Sequence, residues 1–304
     1  MSKPESNVAI VYDSAASFPV ELQNQPNLEE VRFTINIPGD DPRQWEDHPF
    51  GPGLTAEKAQ FLSDLRSGNL GTSQPNPRAY REVFDKIIER DVTEIVVIPL
   101  SIGLSHSMES AQQAADELAG QANIAVVDCK TASIGQSLLI AEALRIRDDS
   151  AGATDLAEKV GQLSKRLHVA QIFSDLRHIE RGGRIGRAKR LAGSMLSVKP
   201  ILGINPEGTI EPIGRARGWG KACEAVVDYV ASGVGENTVR LAFAHFETDN
   251  LGTLHAAADG RFKIAKDHDG KEFAPLECEQ SQVLDAHSGT DVVGLGALIV
   301  DSCK

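Results

Sequence analysis

The side chains best suited to chemistry in this chain are hydroxyls that stand next to predicted secondary-structure elements. Ser14 follows the first predicted strand, Ser105 follows the third, and Thr72 and Ser73 precede a predicted helix. In a doubly wound sheet, strand ends and helix N-termini converge at one edge, where ligands bind. Neutral hydroxyl donors beside helix amides form a site for a carboxylate or a phosphate. A single serine or threonine in such a place is more often a helix cap, so the prediction depends on the group.

A second candidate is the basic segment 177–190, which holds six Lys/Arg residues and three glycines. The wider window 165–221 has twelve Lys/Arg against four Asp/Glu, in a chain of formal net charge -12. Such polarised charge predicts docking of an anion, either an acidic small ligand or an acidic face of a partner protein. The acidity of the remaining chain argues against nucleic acid. A solvated helix end is the alternative, since Arg and Lys are surface residues by default.

Two histidines lie beside candidate ligand-binding residues. His287 precedes Ser288 and a glycine, and small neighbours let an imidazole approach a ligand closely. His106 directly follows Ser105 and is the weaker candidate. A structural role, buried or exposed, is the alternative for both.

Asp13 ends the first predicted strand and is expected to cap the next turn, with orientation of a hydroxyl or a metal as the alternatives.

Signatures of other chemistries are missing from the sequence. It has no G-x-S-x-G nucleophile elbow, no G-x-x-x-x-G-K-[ST] phosphate loop and no H-E-x-x-H zinc motif. Its four cysteines stand far apart without a C-x-x-C pair, so neither a zinc site nor a disulfide framework is indicated. The segment 182–186 lacks the glycine order of a dinucleotide site. We therefore predict no catalytic residue, no metal and no cofactor.

The first half of the chain alternates short β-branched runs with longer helical patterns. Asn76 is placed to cap a helix whose first residue is Pro77, and further helices are predicted over 107–118 and after Ser133. This alternation predicts an N-terminal parallel sheet with helices on both faces. The predicted strands, all buried on both faces, are 8–12, 31–37, 94–99 and 124–128.

The pattern breaks near residues 148–154 and then starts again. We predict two α/β domains, an N-terminal Rossmann-like domain at 1–160 and a C-terminal α/β domain at 161–304. Residues 39–53 form a predicted loop, either a lid or a surface excursion. The remaining predicted features are strands at 169–174, 238–245 and 294–300, an apolar segment at 191–204, and a turn or hairpin at 203–212.

Composition suits a layered α/β protein. The chain has 304 residues, 41% of them hydrophobic and only 5% aromatic, so its interior is built mainly from aliphatic side chains. No segment approaches the ~20 consecutive apolar residues of a membrane span. The N-terminus lacks the basic-then-apolar order of a signal peptide. We therefore predict a cytoplasmic protein with no stable membrane insertion.

Three motifs occur in one order and at compatible separations. They are Thr72-Ser73-Gln74-Pro75, Ser101-x-x-Leu104-Ser105 and Leu176-x-x-Ile179-x-x-Gly182-Gly183-Arg184-Ile185. As a set they are specific, and the chain resembles the DegV family, whose fatty-acid-binding members are the FakB-type proteins. The likeness runs from Asp13-Ser14 to His287-Ser288-Gly289.

The resemblance implies a bacterial lipid-binding protein that is not itself an enzyme and holds one long-chain fatty acid in a tunnel between or within its two domains. Family members present the carboxylate to a separate ATP-dependent fatty acid kinase, which makes acyl phosphate for phospholipid synthesis. Arg184, and Arg215 or Arg217, would supply positive charge at the tunnel mouth and contact the kinase or the product phosphate. The residues implied to hold the carboxylate are Thr72, Ser73 and Ser105, with His287 nearby. The full set of predicted ligand-binding residues is Ser14, Thr72, Ser73, Ser105, His106, Arg184, Arg215, Arg217, His287 and Ser288.

This chain departs from the family pattern at two places. His106 stands where the family often has glycine, which narrows or polarises the site, and an Asp291 that pointed inward would repel a carboxylate. The alternative function is a phosphotransferase or hydrolase that acts on a small anionic metabolite. That enzyme requires a narrow polar pocket and turnover without an added protein. A regulatory ligand sensor is a third possibility that the sequence does not separate from the carrier.

Overall fold

The computed structural model of the protein describes residues 7–37, 43–48, 50, 55–68, 70–191 and 197–301. Its strands are β1 (Val8–Asp13), β2 (Leu28–Val31), β3 (Thr34–Ile37), β4 (Arg43–Glu46), β5 (Gly71–Ser73), β6 (Glu94–Ile98), β7 (Asn123–Val126), β8 (Leu167–Ile172), β9 (Val198–Ile204), β10 (Ile210–Arg217), β11 (Thr238–Phe246), β12 (Lys263–Ile264), β13 (Leu276–Glu279) and β14 (Val292–Ile299). Its helices are α1 (Val20–Gln23), α2 (Ala56–Ser67), α3 (Pro77–Ile88), α4 (Ser107–Asp116), α5 (Ile134–Ile146), α6 (Ala153–Leu163), α7 (Arg177–Arg181), α8 (Trp219–Val234), α9 (Leu251–Ala258) and α10 (Gln282–Ser288).

The first half of the chain builds a parallel sheet in the order β2-β1-β6-β7. Side chains alternate across a strand, so β1 faces two helical layers. Ala9 and Val11 pack with α3 and α4, whereas Val8, Ile10 and Tyr12 pack with α5 and α6. The predicted sheet with helices on both faces is confirmed.

Helix α3 begins where its sequence signals place it. The Asn76 side chain accepts a hydrogen bond from the backbone N–H of Ala79 at 3.0 Å, and Pro77 is the first helical residue. The buried residues Tyr80 and Phe84 lie on its core face. The predicted cap and the predicted first residue are therefore confirmed.

Two details of the predicted sheet are wrong. The run 31–37 is divided between β2 and β3, and β3 belongs to a separate antiparallel sheet of order β4-β3-β5. The break falls at Phe33, whose N–H donates to Ser14 Oγ at 3.1 Å instead of to a strand. Strand β7 is only partly buried because it is the edge of its sheet. Within the predicted loop 39–53, residues 43–46 form β4, while 39–42, 49 and 51–53 lie outside the described residues.

The second half builds a mixed sheet in the order β10-β9-β8-β14-β11-β12, with β13 also beside β11. Helices α8 and α9 cover one of its faces. The three predicted strands correspond to β8, β11 and β14, and the predicted hairpin is the antiparallel pair β9 and β10. The C-terminal part of the predicted apolar segment 191–204 forms β9. Residues 192–196 of that segment lie outside the described residues. The predicted fold class, two α/β domains of which the first has a parallel sheet, is confirmed.

Helix α5 packs between the two sheets. Its first ten residues are all buried. Leu138 and Leu139 share a core with Val8 of the parallel sheet and with Val169 and Leu298 of the mixed sheet. Its apolar side chains are spread around the helix and not confined to one stripe, as expected of a helix that is buried between two sheets. The domain boundary at 160/161 stays a prediction.

Within the part of the chain that the structure describes, no helix is both long enough and apolar enough to cross a membrane.

Candidate functional site

A polar cavity lies where the loop after β6, strand β5 and helix α10 meet. Its volume is about 330 Å³, near the lower end of the usual size of a small-molecule site. Gln74 also lines it, although it was not among the predicted ligand-binding residues. The predicted ligand-binding residues that line the polar cavity are Thr72, Ser73, Ser105, Arg184 and His287.

The imidazole of His287 is the buried polar group of this cavity. Its Nε2 lies 2.8 Å from Thr72 Oγ1, at hydrogen-bond distance. Burial, with smaller contributions from Arg184 and His178, lowers the pKa of His287 to about 4. Its Nδ1 is buried and has no hydrogen-bond partner among the described residues. At neutral pH the cavity therefore contains a neutral imidazole beside a hydroxyl.

Gly182 and Gly183 of the basic segment are glycines for different reasons. A Cβ on Gly182 would lie 2.2 Å from His287 Nδ1, so only a residue without a side chain fits there. Gly183 has φ +74°, in the left-handed region that glycine adopts without strain. The first glycine makes room for His287, and the second turns the chain toward Arg184.

Arg184 lies at the mouth of the polar cavity. Its Nε donates to the carbonyl of Leu104 at 3.3 Å, and its Nη1 donates to the carbonyl of Gly182 at 2.6 Å. These two bonds hold the guanidinium, and its Nη2 donates to no described group. Arg184 also lines a small outer pocket together with His106 and Ile102. His106 therefore lies outside the polar cavity, on the surface side of the mouth.

A buried carboxylate supports the loop that carries Ser105. Asp13 Oδ2 accepts hydrogen bonds from Ser107 Oγ at 2.8 Å and from the N–H of Leu100 at 3.1 Å. Its Oδ1 accepts from Gln136 Nε2 at 3.0 Å. Burial raises the pKa of Asp13 to about 6. Asp13 thus orients a hydroxyl, which was the alternative to the expected cap of the next turn.

An apolar cavity adjoins the polar one beside strands β8 and β9 of the mixed sheet. Its volume is about 90 Å³, and its walls include Val169, Phe173, Ile179 and Leu202. The two cavities share four lining residues, which are Leu104, Ile210, Leu284 and His287. A ligand with a polar head and an apolar body can therefore occupy both spaces at once.

Besides His106, four predicted ligand-binding residues lie outside the polar cavity. Ser14 accepts the hydrogen bond from Phe33 and lines a third cavity on the other side of β3 and α10. Ser288 lines the apolar cavity. Arg215 and Arg217 are exposed on β10, outside the lining of the polar, apolar and outer pockets.

Sequence reasoning missed the polar residues of the apolar cavity, which are Ser133, Gln171 and Gln280. A signal for one of them was available. Gln171 falls between Val169 and Phe173 at the two-residue spacing of a strand, so it shares their face.

Comparisons with known proteins place the chain in a family. Residues 7–300 match a family model described as an uncharacterised protein of the DegV family. A DegV domain-containing protein of Caldanaerobacter subterraneus is 26% identical over 291 residues, which cover 95% of this chain and 97% of that protein. The DegV domain-containing protein YteA of Lactococcus lactis is 31% identical over 199 residues, 64% of this chain and 68% of that protein.

Solved structures share the fold over almost the whole chain. The structure of a DegV family protein from Thermus thermophilus, described for its fatty acid binding, has a TM-score of 0.81 at 25% identity and covers 96% of this chain and 99% of that chain. A DegV lipid binding protein from Thermotoga maritima has a TM-score of 0.80 at 22% identity, over 97% of this chain and 99% of that chain. The motifs, the fold and the match over nearly its full length show that this chain belongs to the DegV family.

Proposed function

We propose that this chain binds a long-chain fatty acid in the cytoplasm and presents its carboxylate to a separate ATP-dependent kinase. The observation that carries the proposal is the continuity of the two cavities through Leu104, Ile210, Leu284 and His287. The carboxylate occupies the polar cavity, and the acyl chain occupies the apolar one. The fatty acid binding described for the Thermus thermophilus protein, at 25% identity, supports the same choice of ligand.

The apolar cavity supplies most of the affinity. Burial of each methylene contributes roughly 0.8 kcal/mol, so a long chain gains far more from this cavity than from its single carboxylate. A phosphotransferase or hydrolase that acts on a small anionic metabolite does not require an apolar cavity beside its polar pocket. The apolar walls therefore favour the carrier over the enzyme.

The polar cavity suits a carboxylate that must later react. In the kinase step a carboxylate oxygen attacks the terminal phosphorus of ATP, the bond to the bridging oxygen breaks, and ADP leaves. Neutral donors such as Thr72, Ser105 and the uncharged His287 orient the carboxylate but leave its lone pairs more available than a bidentate arginine would. An ordered bidentate pair between Arg184 and the carboxylate in a complex would overturn this division of roles.

The surface around the mouth suits a partner protein. Arg187 and Arg190 are exposed on the basic segment, and Ile102 beside the outer pocket is one of the exposed large hydrophobic residues. Exposed cations together with an exposed apolar residue fit an acidic partner face, where charge complementarity speeds association. We assign this surface to docking of the kinase.

Lipid binding is tested first on protein purified from a bacterial host. Native mass spectrometry is expected to reveal co-purified acyl chains, and delipidated protein is expected to take up added oleate or palmitate. Protein that carries no lipid and takes up neither acid would refute the carrier.

Presentation is tested with a purified fatty acid kinase and ATP. We expect the double variant Arg187→Ala/Arg190→Ala to slow acyl phosphate formation about tenfold or more at low salt, while the Kd for oleate stays within about twofold. Arg184→Ala is expected to weaken phosphorylation more than binding. An equal loss of both in the double variant would show that the basic segment does not face the kinase.

A further inference from the structure

The wall of the apolar cavity contains a glutamine where an acyl chain alone needs an apolar residue. Gln171 on β8 lines the cavity between Val169 and Phe173. Its carbon stem fits because its strand partner is Gly294, where a Cβ would lie 2.4 Å from Gln171 Cγ. A polar side chain on an apolar wall requires hydrogen-bond partners.

A chain of hydrogen bonds sets the orientation of the Gln171 carboxamide. Gln280 Nε2 donates to Ser288 Oγ at 2.7 Å and to Asp285 Oδ1 at 3.0 Å. Gln280 Oε1 is therefore the end that faces Gln171, and Gln171 Nε2 donates to it at 3.3 Å. The same nitrogen lies 3.5 Å from Ser133 Oγ. The reverse orientation would place two carboxamide oxygens against each other.

This arrangement leaves one acceptor and one donor without partners on the cavity wall. Gln171 Oε1 accepts no hydrogen bond from any described group. The hydroxyl of Ser133, which is only 4% exposed, receives the contact from Gln171 but donates to no described acceptor. The two groups are adjacent, because the amide nitrogen that reaches Ser133 and the free oxygen share one carbon. A plain alkyl chain would leave both unpaired, which is unfavourable.

We propose that the ligand of this chain is a long-chain fatty acid that carries a hydroxyl group on its chain. The hydroxyl donates to Gln171 Oε1 and accepts from the hydroxyl of Ser133, so that both wall groups are paired. The inference rests on the proposed function, in which the apolar cavity holds the acyl chain.

The test compares stearate with positional isomers of hydroxystearate, by calorimetric titration of delipidated full-length protein. We expect at least one isomer to bind about tenfold more tightly than stearate, because two unpaired wall groups gain a partner. Gln171→Met keeps the length of the side chain without its polar atoms, and Ser133→Gly suits the left-handed φ of 54° at that position. Each variant is expected to reduce the preference to within about twofold. Gln113→Met makes the same replacement at an exposed position of α4, away from both cavities; it is the matched control and should retain the preference.

The outcomes separate the two proposals. Stearate that binds as tightly as every isomer would mean that a water molecule pairs the two groups for any ligand, and it would overturn the hydroxy-acid inference while fatty acid binding stands. A preference that survives in both Gln171→Met and Ser133→Gly would remove these residues from its cause. Failure of stearate and of all isomers to bind would refute the proposed function as well.

Discussion

The substitution Gly182→Ala tests whether the basic segment packs directly against His287 of the polar cavity. Gly182 has φ -68° and ψ -8°, an ordinary right-handed conformation that alanine adopts freely. By itself the change would stabilise the chain by about 0.4–1 kcal/mol, since alanine has less freedom in the unfolded state. The new Cβ would however lie 2.2 Å from Nδ1 and 2.9 Å from Cε1 of His287. The imidazole or the loop must therefore move.

The size of the effect follows from what this movement breaks. The Thr72–His287 hydrogen bond is worth about 0.5–1.5 kcal/mol, and overpacking a buried site costs about 1–3 kcal/mol. After subtraction of the gain from alanine, we expect Gly182→Ala to lower the free energy of unfolding by roughly 1–3 kcal/mol. Palmitate affinity should fall as well, because His287 lines both cavities.

Urea unfolding of four chains measures this coupling: the wild type, Gly182→Ala, His287→Ala and the double variant. Once His287 is alanine, the clashing atoms are gone and Gly182→Ala should be neutral or slightly stabilising, which gives a coupling energy of about 1–3 kcal/mol. Gly183→Ala is the matched control, since a Cβ there meets nothing within 4 Å and the cost is that of the left-handed backbone alone. Gly183→Ala should leave the NMR resonances of the His287 imidazole unchanged, whereas Gly182→Ala should shift them. Effects of Gly182→Ala and His287→Ala that add to within about 0.5 kcal/mol would refute the reasoning.

Further predictions concern other parts of the molecule. Burial raises the pKa of Asp47 to about 7 from 3.8, so between those pH values the folded chain keeps a proton that the unfolded chain loses, and the stability contributed by this group falls as pH rises. Thermal unfolding across that pH range should therefore show a flatter dependence of stability on pH for Asp47→Asn than for the wild type. An unchanged slope would contradict this prediction. Thr72→Val should weaken palmitate binding about three- to tenfold in calorimetry through loss of one hydrogen bond, and unchanged affinity would remove the hydroxyl from the site. Val169→Phe fills the apolar cavity and should weaken stearate binding more than octanoate binding, while an equal effect on both would place the chain elsewhere. Asn76→Ala should lower the free energy of unfolding by about 1 kcal/mol in urea titrations without changing palmitate affinity, and a stability equal to that of the wild type would contradict the capping role.

Local sequence signals predicted the elements well. The Asn76 cap, the Pro77 start and the strand-helix alternation depend on residues within a few positions of each other, and the structure has them where they were expected. The run 31–37 failed because its hydrophobic pattern is continuous through Phe33, and the break comes from a hydrogen bond to Ser14, nineteen positions away.

The sequence predicted the residue types of the candidate site better than it predicted which of those residues lie together. Motif hydroxyls, the glycine pair and His287 were singled out from the sequence, and five of the ten predicted residues line one polar cavity. Ser14 stands at a strand end like the others, but its side chain turns toward β3 and the third cavity. Arg215 belongs to the basic window 165–221 but extends from an exposed face of β10. Spacing along the chain does not tell which face of a loop or an edge strand a side chain takes.

The sequence alone determined the α/β class, the helix caps, the hairpin and the residue types of an anion site, because these follow from period, propensity and capping over short spans. Only the tertiary structure decided which of those residues meet. Thr72 and His287 are 215 positions apart, and they touch because β5 and α10 pack side by side with Gly182 leaving room for the imidazole. Contacts of that separation depend on how the two sheets close around α5, and no local pattern in the sequence encodes that closure.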